Sequence, residues 1–215
     1  MKLKRDTELF FVGLLIIACT HEALAQTSPA NKDEITPLRI VALDDKAAPS
    51  GWKRYQFGDP ILFSAILPNP PQTLSNKFES KTEAPLIARL YIAPSITGVY
   101  GVSYMEDLGA EGKPKSEESR QKFIHDFIKG FANGFIKGLE ARGVTAELKE
   151  IAQRKVRIGG IDRYEHDLNI GAFTGRAQVV FVGSKIYAAF ALWKPESSTS
   201  ERTAFFNSLK ISPIP

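Results

Sequence analysis

The sequence predicts an α+β chain: an α/β/α sandwich with a central, mainly antiparallel sheet flanked by helices on both faces. Three observations predict it. Residues 116–143 carry one long amphipathic helical period. Residues 145–193 read as successive strands punctuated by glycine turns. Two of these strands, 179–182 and 187–193, are apolar on both faces. A strand of that kind must be covered on both sides, which predicts a helical layer above and below the sheet.

The chain opens on a targeting pattern. Lys2, Lys4 and Arg5 form a basic region, residues 9–18 an apolar core, and Ala23-Leu24-Ala25 a small-residue cleavage site. This predicts a signal peptide over residues 1–25 and a protein that is exported, periplasmic or secreted. The apolar run is too short to span a bilayer. Ile16-Ile17-Ala18-Cys19 also resembles a bacterial lipobox, so the alternative is lipidation of Cys19 and a membrane-anchored lipoprotein. Cys19 is the only cysteine, and either route leaves no disulfide. Residues 26–37 are polar and proline-bearing and read as a flexible tether. Residues 38–215 read as a single domain, since no later boundary splits them.

Residues 39–43 form a short strand candidate. Residues 52–57 and 61–67 are strands joined by Gly58-Asp59-Pro60, and Pro68-Asn69-Pro70-Pro71 ends the second. Residues 86–92 and 99–105 form another strand pair. After the helix come strands at 145–151, 155–158, 161–170, 176–182 and 186–193. Gly159-Gly160 turns the chain into the third of these, and Gly183-Ser184 is a two-residue hairpin signal before the last. Ser198 with Glu201 reads as a capping box opening a last short helix that carries Phe205, Phe206 and Leu209.

The central helix has its own signature. At about 100° per residue, Phe123, Phe127, Phe131, Phe135 and Leu139 share one face with Ile124 and Ile128. Ser116 is the expected N-cap, with Glu117 and Glu118 at the positive end of the dipole. Gly130, Gly134 and Gly138 lie one turn apart on the flank of that face. Each glycine costs roughly 1 kcal/mol against alanine inside a helix, so a reason is required. The expected reason is close packing of the helix against a neighbouring element. The competing reading is an outward contact with a partner or a membrane surface through helix 117–142.

The order of elements resembles the PsbP-like family, whose members include exported bacterial relatives of a photosystem II extrinsic protein. The residues that carry the resemblance are Phe63-Ser64-Ala65-Ile66-Leu67-Pro68 with Pro71, Tyr100-Gly101-Val102-Ser103-Tyr104, Gly159-Gly160-Ile161 with Tyr164-Glu165, Val182-Gly183-Ser184-Lys185-Ile186-Tyr187, and Phe206-Asn207-Ser208-Leu209-Lys210-Ile211. The resemblance implies an α/β/α sandwich around an antiparallel sheet. It supplies no catalytic residues, because its motifs are turns and core positions.

Little in the sequence points to chemistry. The familiar metalloprotease, zinc, nucleophile-elbow and phosphate-loop patterns do not occur in it. No cofactor and no metal are expected. His166 alternates with Tyr164, Leu168 and Ile170, so it reads as a hydrogen-bonded core histidine and only weakly as a catalytic candidate. His125 reads as a surface residue. Arg163, Glu165 and Asp167, followed by Asn169, form the other face of the same strand. They are weak ligand-binding candidates that read first as the solvated, salt-bridged side of an edge strand. Arg154-Lys155-Val156-Arg157 reads as a solvated strand edge. The formal net charge is +4 and its charges are well mixed, so no nucleic-acid partner is expected. These observations lead to a non-enzymatic exported domain that binds a protein or small ligand at the cell envelope. The alternatives are an exported hydrolase using His166 with a nearby carboxylate, and a membrane-apposed protein acting through the lysine-, phenylalanine- and glycine-rich helix. Membrane contact is expected only through that helix or a lipidated Cys19.

Overall fold

The computed structural model describes residues 38–78, 86–106, 116–195 and 197–212. The expected signal peptide, Cys19 and the tether lie outside these residues. So does the link between the last early strand and the central helix.

Two sheets account for the strands. β1 (Ile40–Leu43), β2 (Lys53–Phe57), β3 (Phe63–Leu67) and the short β11 (Lys210–Ile211) form a small sheet in the order β1-β2-β3-β11. The large sheet contains β4 (Gln72–Phe78), β5 (Leu86–Pro94), β6 (Gly98–Glu106), β7 (Leu148–Ile158), β8 (Ile161–Ile170), β9 (Phe173–Val182) and β10 (Lys185–Trp193). Its order is β4-β5-β6-β10-β9-β8-β7, and the strand pairs within it are antiparallel. Two helices accompany them among the described residues: α1 (Glu117–Glu140) and α2 (Thr199–Ser208).

This arrangement corrects the expected α/β/α sandwich. The protein is β-rich, and the large sheet is not flanked by helical layers on both faces. β10 shows why. Ile186, Ala188, Phe190 and Leu192 pack under α1. Tyr187, Ala189, Ala191 and Trp193 point the other way, into a core shared with Tyr55, Phe57, Phe63 and Leu67 of the small sheet and with Phe205 and Phe206 of α2. A two-sided apolar strand requires two covers, but a second sheet serves as well as a helix. The second core is dense in rings. Phe57 stacks on Phe63 at 4.5 Å, and Phe63 meets Tyr187 edge-on at 5.7 Å.

α1 lies on the large sheet as its periodicity predicts. Ile124, Ile128, Ala132, Phe135, Gly138 and Leu139 are buried, while Phe123, Phe127 and Phe131 pack partly buried along the flank. Ser116 caps the helix: its Oγ accepts from the Ser119 amide at 3.1 Å, and Ser119 Oγ accepts from the Ser116 amide. The glycine expectation fails for two of the three positions. Gly130 and Gly134 are exposed, and a Cβ added at either meets nothing within 4 Å. Only Gly138 faces the core. The glycines that do serve close packing are in the sheet. A Cβ at Gly101 would fall inside the Phe190 ring, and one at Gly175 would meet Leu192 and the Ala191 carbonyl.

Smaller differences follow from local context. The strands expected at 145–151 and 155–158 are one strand, β7, with a bulge between Glu150 and Ala152. β4 follows directly on the proline run at 68–71, where the sequence carries no strand signal. Gly159 and Gly160 both take positive φ, 60° and 80°, as a two-residue hairpin requires. Ser198 is the N-cap of α2 but makes no side-chain capping bond; its hydroxyl pairs with Ser200 instead.

Candidate functional site

β8 lies inside the large sheet, between β7 and β9, and divides its polar residues between the two faces. Arg163, Glu165 and Asp167 point towards the small sheet and α2. Each sits opposite a β9 residue: Arg163 against Val180, Glu165 against Gln178, Asp167 against Arg176. Arg163 and Glu165 are 8% and 7% exposed, so the expected solvated edge is corrected to a buried polar network. The reason is topological, since β7 and β9 border the strand on both sides.

The network is a chain of charge-assisted bonds. Arg163 Nη1 donates to Gln178 Oε1 at 2.9 Å, and Gln178 Nε2 donates to Glu165 Oε1 at 2.8 Å. Arg154, reaching over from β7, holds Glu165 and Asp167 at 2.7 Å each. Arg176 Nε meets Asp167 at 2.6 Å, and its guanidinium lies over the Phe206 ring. Arg163 Nη2 donates to the Leu209 carbonyl at the C-cap of α2. Burial would raise the Asp167 carboxyl, but bonds from Arg176 and Arg154 outweigh it and hold the group below its ordinary range. Burial lowers Arg163 from its ordinary value, opposed by Glu165. Nearly every polar atom is spent internally. Among the β8 side chains on this face, Arg163 Nε and Asn169 Oδ1 are buried without a hydrogen-bond partner among the described residues. This accounts for the three ligand-binding candidates as a tie between the large sheet and α2.

The opposite face of β8 carries His166, 2% exposed beneath α1 with Tyr164, Leu168 and Ile170. Its core position agrees with the alternation; its expected hydrogen bond does not. Nδ1 lies 3.8 Å from Glu150 Oε2 of β7, too long for a hydrogen bond, and is unpaired among the described residues. Burial pushes the imidazole below its ordinary value, with Glu150 opposing. Glu150 is held by two other groups: His125 Nδ1 on α1 at 2.9 Å and Gln153 Nε2 at 2.7 Å. His125 is half exposed, and its pairing with a β7 carboxylate had no signal in the sequence. The fold thus joins three residues far apart in the chain at the seam between α1 and β7. Among the described residues, no three histidines, cysteines or carboxylates are arranged to hold a metal ion.

Beside this seam runs an open groove. α1 contributes His125, Lys129, Asn133 and Ile136, and the stretch entering β7 contributes Ala146, Glu147, Leu148 and Glu150. Ile136, the apolar residue out of phase on the helix, lines this groove. Farther along the seam, Tyr164 donates to Glu117 at 2.9 Å and Lys155 reaches Asp162 at 3.0 Å. Bonds from Gln121 and Tyr164 lower the Glu117 carboxyl. Among the described residues β7 has no strand on its outer side, so the β7 side of the groove is a sheet edge, as the basic run at 154–157 suggested. Among the described residues, no helix is long and apolar enough to cross a membrane.

No family model and no curated protein matches the chain. Among solved structures it is similar to cyanobacterial PsbP from Synechocystis sp. PCC 6803, at a TM-score of 0.46 and 10% identity over 87% of this chain and 99% of that one. A likeness to a Pseudomonas aeruginosa protein of unknown function has a TM-score of 0.27 and 7% identity over 73% of this chain and 84% of that one. Both are likenesses of shape only, and no residue's role is taken from them.

Proposed function

We propose that this chain is a non-enzymatic exported domain that binds a protein partner at the cell envelope through the seam between α1 and β7. One observation carries the reading: an eleven-residue terminal strand, largely exposed, borders an open groove that mixes apolar and charged side chains. Unpaired strand backbone beside a mixed groove is a common form of protein contact surface. The polar network on the other face supports the same reading, because its groups are already committed to one another.

Site-specific photo-cross-linking in cells tests it. Cross-linkers at Lys129 and Ile151 are expected to give the same discrete adduct, and one at Leu43 on the small sheet none. Equal or absent adducts at all three positions overturn the proposal.

A membrane-apposed role through helix 117–142 is favoured by one specific observation, the outward Gly130 and Gly134. Flotation with anionic vesicles, abolished by charge reversal at Lys129 and Lys137, would move that reading ahead. The hydrolase alternative rests on His166 beside Glu150, and requires ester or amide turnover that His166→Gln abolishes in a folded protein.

A further inference from the structure

β7 ends the large sheet, so one side of its backbone has no neighbouring strand among the described residues. Proteins usually blunt such edges by keeping them short, inserting proline, or covering them. β7 runs for eleven residues without proline. It also turns apolar side chains outward: Ile151, the extra residue of the bulge, is 56% exposed and Ile158 is 43% exposed. The strand holds Lys149, Arg154, Lys155 and Arg157 against the single acid Glu150. Arg154 and Lys155 are spent on Asp167, Glu165 and Asp162. Lys149 and Lys129 form no ion pair among the described residues; Lys129 lines the groove, and Lys149, opposite Asn169, lies on the sheet face turned away from α1. Arg157 reaches Asp162 only at 4.0 Å with a largely exposed side chain.

We propose that the free edge of β7 receives an extended acidic segment of another protein, which adds a strand to the large sheet. The inference rests on the binding role proposed above and names the chemistry of the partner. Side chains alternate across a strand, so every second residue of the incoming segment faces α1. There Ile136 and Leu148 offer apolar contact, and Lys129 accepts an acidic neighbour. Of the two acids lining the groove, Glu150 is already paired with His125 and Gln153, while Glu147 carries no ion pair among the described residues and is offset by Lys129 and Arg157. The residues between them face the other side of the sheet. Backbone bonds supply sequence-independent affinity, and the cations select an acidic segment. A second copy of this chain is disfavoured as occupant, because two β7 edges bring like charges together.

The test uses the purified protein with labelled peptides of roughly ten residues, matched to strand length, that alternate valine with glutamate, lysine or serine. Fluorescence anisotropy is expected to detect the glutamate peptide alone, with affinity falling about tenfold or more as salt is raised from low to physiological strength. Hydrogen exchange should then slow in β7 and not in β1. The variant Lys129→Glu with Arg157→Glu, its fold checked by circular dichroism, should lose the glutamate peptide and gain the lysine peptide. That gain separates a charge-selective edge from a damaged protein. Equal binding of the serine peptide, no binding of the glutamate peptide, or a concentration-dependent dimer that protects β7 overturns the inference. A cellular adduct from Lys129 whose partner leaves β7 exchange unchanged would also overturn it, while leaving the wider binding role standing.

Discussion

Replacing Gly130 and Gly134 with alanine should stabilise the protein. Both sit inside α1, both are exposed, and a Cβ at either meets nothing within 4 Å. Each substitution should therefore recover the helix-propensity difference of roughly 1 kcal/mol, with no steric cost to set against it. The added methyls touch no common neighbour, so the double variant should gain about 1.5–2 kcal/mol. For a domain of this size that raises Tm by about 3–8 °C. Urea unfolding followed by circular dichroism is the assay, and the midpoint should rise with an unchanged denaturant slope. Gly101→Ala is the contrasting variant: its new methyl collides with Phe190 and should cost on the order of 1–3 kcal/mol. A Gly130→Ala, Gly134→Ala protein that is no more stable than the parent would refute the reasoning. It would mean that this flank of α1 packs against something after all.

Other perturbations probe the two faces of β8. Glu165→Ala strands Gln178 and one arm of Arg154. It should cost about 2–3 kcal/mol in chemical denaturation, less than a fully buried pair would, because Arg154 is 37% exposed. His166 is lowered from 6.5 by burial, so the unfolded chain binds its proton first. Its contribution is complete above pH 6.5 and is lost as pH falls below that value; His166→Gln should flatten the stability-versus-pH slope there. Asp167 and Asp162 are lowered from 3.8, so their contributions persist to more acid pH and fall away below that value in both proteins. Tyr164→Phe removes the bond to Glu117 and should cost roughly 1 kcal/mol, measured by the same denaturation. Mass spectrometry of the protein recovered from cells should find an N-terminus at Gln26; an acylated Cys19 would establish the lipoprotein route instead.

Much of the architecture follows from local sequence alone. The period of residues 117–140, the Ser116 cap and the alternation in β8 and β10 each depend on neighbours within a few positions, and the fold keeps all of them. The inward side of His166 follows from the same rule, because strand alternation is a property of the backbone. The choice of what covers the second face of the sheet is not local. β1, β2 and β3 read as strands in isolation, and nothing within five-residue segments says that they form a separate sheet laid across β10. Nor could sequence separate a solvated edge from a buried network at Arg163, Glu165 and Asp167. That difference depends on β9 and β7 closing in on both sides of β8. The same holds for Gly130 and Gly134, whose position on the flank was predictable and whose empty surroundings were not. The seam of His125, Glu150 and His166 joins a helix and two strands, so it exists only once the sheet has brought distant segments together. Periodicity tells each residue which way to face, and packing between distant segments decides what it meets there.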